Sequence, residues 1–217
     1  MRIADAVSEA VLELTCGTDT LAAANRYYSQ EFIQHSPIFP AGWDGLIASI
    51  DHAKGLGASY EVLRAIGDGD LAVLHARVTG FAEHPLIMFN VYRVADSKII
   101  EHWEGLQPEF DPALAGGTTE VSELDRTDGN RALVRDLIEK SCADGAPGAA
   151  GDPDLNYVQL HQLVAEGNFV YAQCAGEKEG QQYAVHELFR LQDGEVVEGW
   201  NVVTPIPEQL PHDNGVF

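Results

Sequence analysis

Residues 92 to 108 read YRVADSKIIEHWEGLQP, and residues 189 to 205 read FRLQDGEVVEGWNVVTP. At the offset of 97 that lays Trp200 on Trp103, the identities are Arg, Asp, Glu, Trp and Pro. The other positions include Tyr/Phe, Val/Leu and two Ile/Val exchanges. Just upstream AIGDGDLAVLHARV lines up with LVAEGNFVYAQCAG, with Gly69 over Gly167. Two copies of so long a unit are too few and too large for a solenoid, so they read as two related domains. The differences are as informative as the matches. His75, His102 and Glu104 of the first copy become Gln173, Gly199 and Asn201 in the second. His186 and Glu187 remain there, read as out of step with the first cluster. Chemistry is therefore expected in the first half, with the second half as scaffold.

The 217 residues suit two small domains, and 45% hydrophobic content supports packed cores. Asp and Glu total 34 against 13 Lys and Arg, a formal charge of −21. That balance argues against nucleic acid, which needs clustered positive charge, and against an anionic membrane surface. High solubility is the plain consequence. Cys16, Cys142 and Cys174 are far apart and no Cys/His pair has zinc spacing, so reduced buried thiols are expected. The N-terminus carries two acids before any apolar run, unlike a signal peptide, and no stretch reaches the length of a spanning helix. A cytoplasmic protein is the expectation.

Ile3, Val7, Ala10, Val11 and Leu14 recur at helical spacing. Asp19 can cap a second helix through LAAANRYYSQEF. HSPIFPAGWDG has the prolines and glycines of a loop, and LIASIDHAKGLG gives a third helix. From Tyr60 onward YEVLRAIG, LAVLHARVTG, LIMFNVYRV and KIIEHWEGLQ are β-rich and separated by turn residues. Helices followed by an antiparallel meander make an α+β domain with helices on one face of a curved sheet. A first domain over 1–110, a linker over 111–129 and a second domain over 130–217 follow. In the second, a helix over NRALVRDLIEKS precedes CADGAPGAAGDPD, too rich in Gly, Ala and Pro for a packed helix. This copy keeps its strands and lacks much of its helical cover.

The ADSK turn is read as a three-residue loop with Ser97 left-handed, where the second copy has Gly194. That register sets Asn90 opposite His102 and Met88 opposite Glu104. Alternation puts Asn90, Tyr92, His102 and Glu104 on one face, with Phe89, Val91 and Trp103 on the other. His75, on the preceding strand, is expected to join the polar group.

FIQHSPIFPAGWDG, GDLAVLHARV and FNVYRVADSKIIEHWEGLQP resemble the SnoaL-like polyketide cyclase group of the nuclear transport factor 2-like superfamily. The resemblance covers residues 1 to 108 and resumes over about 130 to 217, through the PIPEQLPHDNGVF tail. Phe32 to Pro37 stand where the group has Tyr-Ile-Gln-His-Asn-Pro, and Glu101 to Glu104 where it has Glu-His-Trp-Asp. Asn90 departs from an acid common in relatives. The resemblance implies two cone-shaped units, each a curved antiparallel sheet over helices, the first with an internal pocket. Relatives of this kind work mostly without a cofactor, on small hydrophobic carbonyl compounds.

By that resemblance Glu104 is the general base, with His35 and His102 as donors to a developing enolate oxygen and His75, Asn90 and Tyr92 orienting them. The function implied is a cofactor-independent lyase or isomerase of the aldol-cyclase kind. The alternatives are a non-catalytic binding or assembly module, and an epoxide or ester hydrolase. No metal is expected, since no HxH or HxxxH spacing occurs in the cluster. Single-domain relatives commonly pair through their sheets, so an intramolecular pseudo-dimer of the two copies is expected.

Overall fold

The computed structural model describes residues 1–144 and 152–217. Much of the CADGAPGAAGDPD segment lies outside the described residues. The chain divides into two compact units, Met1–Ala115 with Pro207–Phe217, and Gly116–Ile206. Each is α+β.

In the first unit α1 (Ile3–Cys16) buries Ala4, Val7, Ala10, Val11 and Leu14, the stripe that the helical spacing marks. Asp19 caps α2 (Thr20–Tyr27) by accepting from Ala22 N at 2.9 Å. The helix expected to reach Phe32 stops at Tyr27, because Tyr28–Gln34 is a strand, β1. Its aromatic and β-branched residues suit a sheet, and it pairs in parallel with β5. α3 (Gly42–Gly55) starts inside the stretch expected to be loop, two residues after Pro40, with the extended Ala41 as its N-cap.

β2 (Ser59–Asp68), β3 (Leu71–Thr79), β4 (Leu86–Ala95) and β5 (Lys98–Pro108) form the expected meander, in the order β1-β5-β4-β3-β2. The helices pack on one face, against Ala72, Leu74, Tyr92 and Ile99. The β4–β5 turn corrects the sequence reading. It is a two-residue turn, Asp96 and Ser97, both with positive φ (49° and 62°), as a type I′ hairpin requires. A bulge between the Arg93–Glu101 and Val94–Ile99 pairs takes up the extra residue. Asn90 therefore stands opposite Glu104, and Tyr92 opposite His102. Partners move by two places, and the division of faces is unaffected.

The second unit has α4 (Thr127–Asp144) and β6 (Asn156–Glu166), β7 (Phe169–Lys178), β8 (Gln181–Gln192) and β9 (Glu195–Pro205), paired in that order. α4 runs three residues beyond Ser141, through Cys142, and its Val134 and Ile138 pack on the sheet. Among the described residues no strand pairs with the outer edge of β9, the place that β1 takes beside β5.

Two boundaries differ from the expected ones. Residues 116–126 belong to the second unit rather than to a free linker. Ser122 exchanges hydrogen bonds with Asn168, and Trp200 Nε1 donates to the Gly116 carbonyl at 2.9 Å. A Cβ on Gly167 would lie 2.0 Å from Ser122 O, so that close approach requires glycine. Pro207–Phe217 returns to the first unit because its polar groups find partners there, as described below.

Candidate active site

Between the helices and the sheet of the first unit lies a cavity of about 110 Å³. Its walls are largely apolar, with Leu46, Phe81, Met88 and Leu106 among them. One region is polar and holds Gln34, Tyr60, Asn90, Tyr92, His102 and Glu104. Four of these are the even-numbered residues of β4 and β5 that alternation sends to the helix side.

Glu104 is buried, and desolvation raises its carboxyl from 4.5 to about 7. The Ser36 hydroxyl opposes that rise by donating to Oε1 at 2.5 Å. Its direction is fixed, since Ser36 Oγ accepts from the backbone N–H groups of Ile38 and Phe39. The proton that remains goes to Glu104.

His102 stacks on Tyr92 (4.5 Å, 11°) with both ring nitrogens engaged. Nδ1 faces Gln34 Oε1 at 3.0 Å and Nε2 faces Asn90 Oδ1 at 2.9 Å. Gln34 Oε1 also accepts from Ser36 N, which fixes that amide and makes Nδ1 the donor. Glu104 Oε2 is 4.0 Å from Nε2. Asn90 Nδ2 donates to Tyr60 Oη at 3.0 Å, and the Tyr60 and Tyr92 hydroxyls are hydrogen-bonded to each other. Burial pushes both phenols up, so they stay protonated. Their mutual bond uses one of their two protons and leaves the other for a ligand oxygen.

Two expected site residues stand elsewhere. His35 does not reach the cavity. It stacks on Trp103 (4.8 Å, 6°), with Nε2 on Glu101 at 2.8 Å and Nδ1 on the Gly215 carbonyl at 3.1 Å. Its neighbour Ser36 takes the place on Glu104. His75 pairs with Phe89 across β3–β4 and so lies on the face away from the helices. It stacks on Phe89 (4.4 Å) beside Arg64, 3.0 Å from Nδ1. Burial first, and Arg64 second, lower its pKa to about 3. Gln34, Ser36 and Tyr60 were missed by the sequence reading. Gln34 and Ser36 lie within the quoted FIQHSP motif, while Tyr60 carries no local signal.

The Ser36 loop is held by the tail. Asn214 Nδ2 donates to Gln34 O at 2.8 Å and His212 Nε2 to Ser36 O at 2.8 Å. Among the described residues no group of three or more His, Cys, Asp or Glu side chains is placed to hold a metal ion. Nor, among them, is any helix long and apolar enough to cross a membrane.

Solved structures offer similarities over about half of the chain. IdmH, a candidate polyketide cyclase from Streptomyces antibioticus, is 18% identical over 48% of this chain and 90% of its own, with a TM-score of 0.39. TsrD from Streptomyces laurentii gives 16% identity, 48% and 89% coverage and a TM-score of 0.41. An NTF2-like protein of unknown function from Burkholderia xenovorans gives 19%, 49%, 84% and 0.42. No protein-family model and no curated protein matches the chain.

Proposed function

We propose that the first unit is a cofactor-independent acid/base catalyst, a lyase or isomerase of the aldol-cyclase kind for small apolar carbonyl compounds. The observation that carries this reading is a single carboxyl, held near neutrality by burial, in the wall of a largely apolar cavity. As carboxylate, Glu104 takes a proton from the carbon next to a substrate carbonyl. The electron pair moves to the carbonyl oxygen, which the free phenol proton of the Tyr60–Tyr92 pair meets. The enolate then either attacks a second carbonyl carbon in the same molecule, whose oxygen takes the π pair and the proton held by Glu104, or is reprotonated at another carbon by the Glu104 acid. His102 acts through others, aligning Gln34 and Asn90 around the carboxyl. The second unit is, in this reading, a cut-down copy of the first, and the first unit takes the cone shape that its sequence resemblance implies.

The test is exchange of the α-hydrogens of 2-tetralone with deuterated solvent, followed by NMR. Glu104→Gln is expected to reduce the rate by about 10²- to 10⁴-fold while binding changes within a few-fold. Exchange that survives the substitution refutes the base assignment. Binding without exchange in the unsubstituted protein identifies a carrier instead.

A further inference from the structure

The one hydroxyl that touches Glu104 stands on a loop just past the end of the strand pairing. β1 ends at Gln34, and the last backbone bond from that segment to β5 runs from His35 N to His102 O at 2.9 Å. Ser36 comes next and donates to the Glu104 carboxyl. Its N–H donates to Gln34 Oε1, and its Oγ accepts from Ile38 N and Phe39 N. These bonds aim the hydroxyl, but all of them tie Ser36 to near neighbours in sequence.

The C-terminal tail supplies a hold from outside the loop. Ser36 O accepts from His212 Nε2 at 2.8 Å, and Gln34 O accepts from Asn214 Nδ2 at 2.8 Å. Between them His35 Nδ1 donates to Gly215 O at 3.1 Å. A carbonyl only accepts, so His212 carries a proton on Nε2. Val216 is buried and anchors the end of the tail. His212, Asn214 and Gly215 stand outside the cavity lining, so their influence on the acid runs through residues 34–36.

We propose that His212, with Asn214 beside it, is a positioning residue for Glu104, holding the Ser36 hydroxyl where it donates to the carboxylate. A bond donated to the charged form favours that form, and at Glu104 it opposes the effect of burial. Release of the loop therefore raises the pKa of the carboxyl and leaves less base at neutral pH. The other titratable groups around Glu104 are His102 on β5, 4.0 Å away, Tyr60 on β2 and Tyr92 on β4. From α3, Lys54 lines the same cavity with its ammonium on Gly17 O and Thr20 Oγ1. For turnover this role rests on the base assignment of Glu104, and for the titration of the carboxyl it does not.

The measurement is that titration in the intact chain, by carbon-13 NMR of labelled glutamate, with the signal assigned by its loss in Glu104→Gln. His212→Ala is expected to raise the midpoint by about one unit, the scale of a bond to a charged group. Asn214→Ala is expected to raise it by less, and decides the matter if His212→Ala fails to fold, since Asn214 is exposed. His212→Gln keeps an N–H donor at a similar reach and is expected to restore the midpoint. In a Ser36→Ala background His212→Ala is expected to add nothing, as two links of one chain require. Exchange of 2-tetralone is expected to fall about fivefold at pH 7 in His212→Ala and to recover at alkaline pH. A midpoint that both alanine variants leave in place overturns the proposal, as does an equal rise in the Ser36→Ala background. A raised midpoint in a protein that exchanges no tetralone upholds the role of the tail and refutes the base assignment instead.

Discussion

At Glu104 two effects oppose each other, and burial is the larger. Desolvation raises the carboxyl to about 7, and one hydroxyl bond pulls it back. A carboxyl held above its unfolded value binds its proton more tightly in the native state. Its share of stability is thus fully present below about 4.5 and is lost as pH rises through about 7. Glu104→Gln removes this dependence. The variant is expected to gain about 3 kcal/mol on the unsubstituted chain between pH 4.5 and pH 8, and to level off above, by denaturant unfolding at each pH. His75 offers the contrasting case. His75→Leu strips a buried guanidinium of its neighbour and is expected to cost about 1–3 kcal/mol with turnover unchanged, which kinetics and melting together check. Sequence placed Glu104, His102, Asn90 and Tyr92 on one face because alternation along β4 and β5 settles it. It misplaced His75, since the face of one strand relative to the next depends on how the chain turns between them. The FAEHP loop does not announce that.

Among the elements, the β4–β5 hairpin shows how a wrong turn can still yield the right faces. A three-residue loop and a two-residue loop with one bulge shift the pairing by an even number, so every side chain keeps its side. The pairing partners cannot be read this way, because the bulge has no sequence mark of its own. Ser97 sits at φ 62°, where the second unit has Gly194 at 84°. Ser97→Gly is therefore expected to stabilise the first unit by about 0.5–1 kcal/mol, read as a higher melting temperature. The edge strands part company more sharply. β1 was read as helix because Tyr27-Tyr28 and Phe32 fit either period, and the unpaired edge of β5 decides for a strand.

Across the molecule as a whole, four buried groups pull the response to pH in opposing directions. Glu104 and Glu187 rise to about 7, and His75 and His186 fall to about 3, all four chiefly through burial. A histidine lowered in this way contributes stability above about 6.5 that is lost as pH falls towards 3. Between about 4.5 and 6.5 the two pairs pull in opposite directions. A stability plateau is expected there, with losses on both flanks, and a pH series of unfolding free energies checks it. The topology adds a constraint of order. Met1–Ala115 is made first, yet the segment that fastens the Ser36 loop, Pro207–Phe217, is made after the entire second unit. On the ribosome the Ser36 loop waits for these hydrogen bonds until Pro207–Phe217 has emerged. A product that stops short within the second unit would thus have every residue of the Glu104 cluster and still lack the donors that hold its loop.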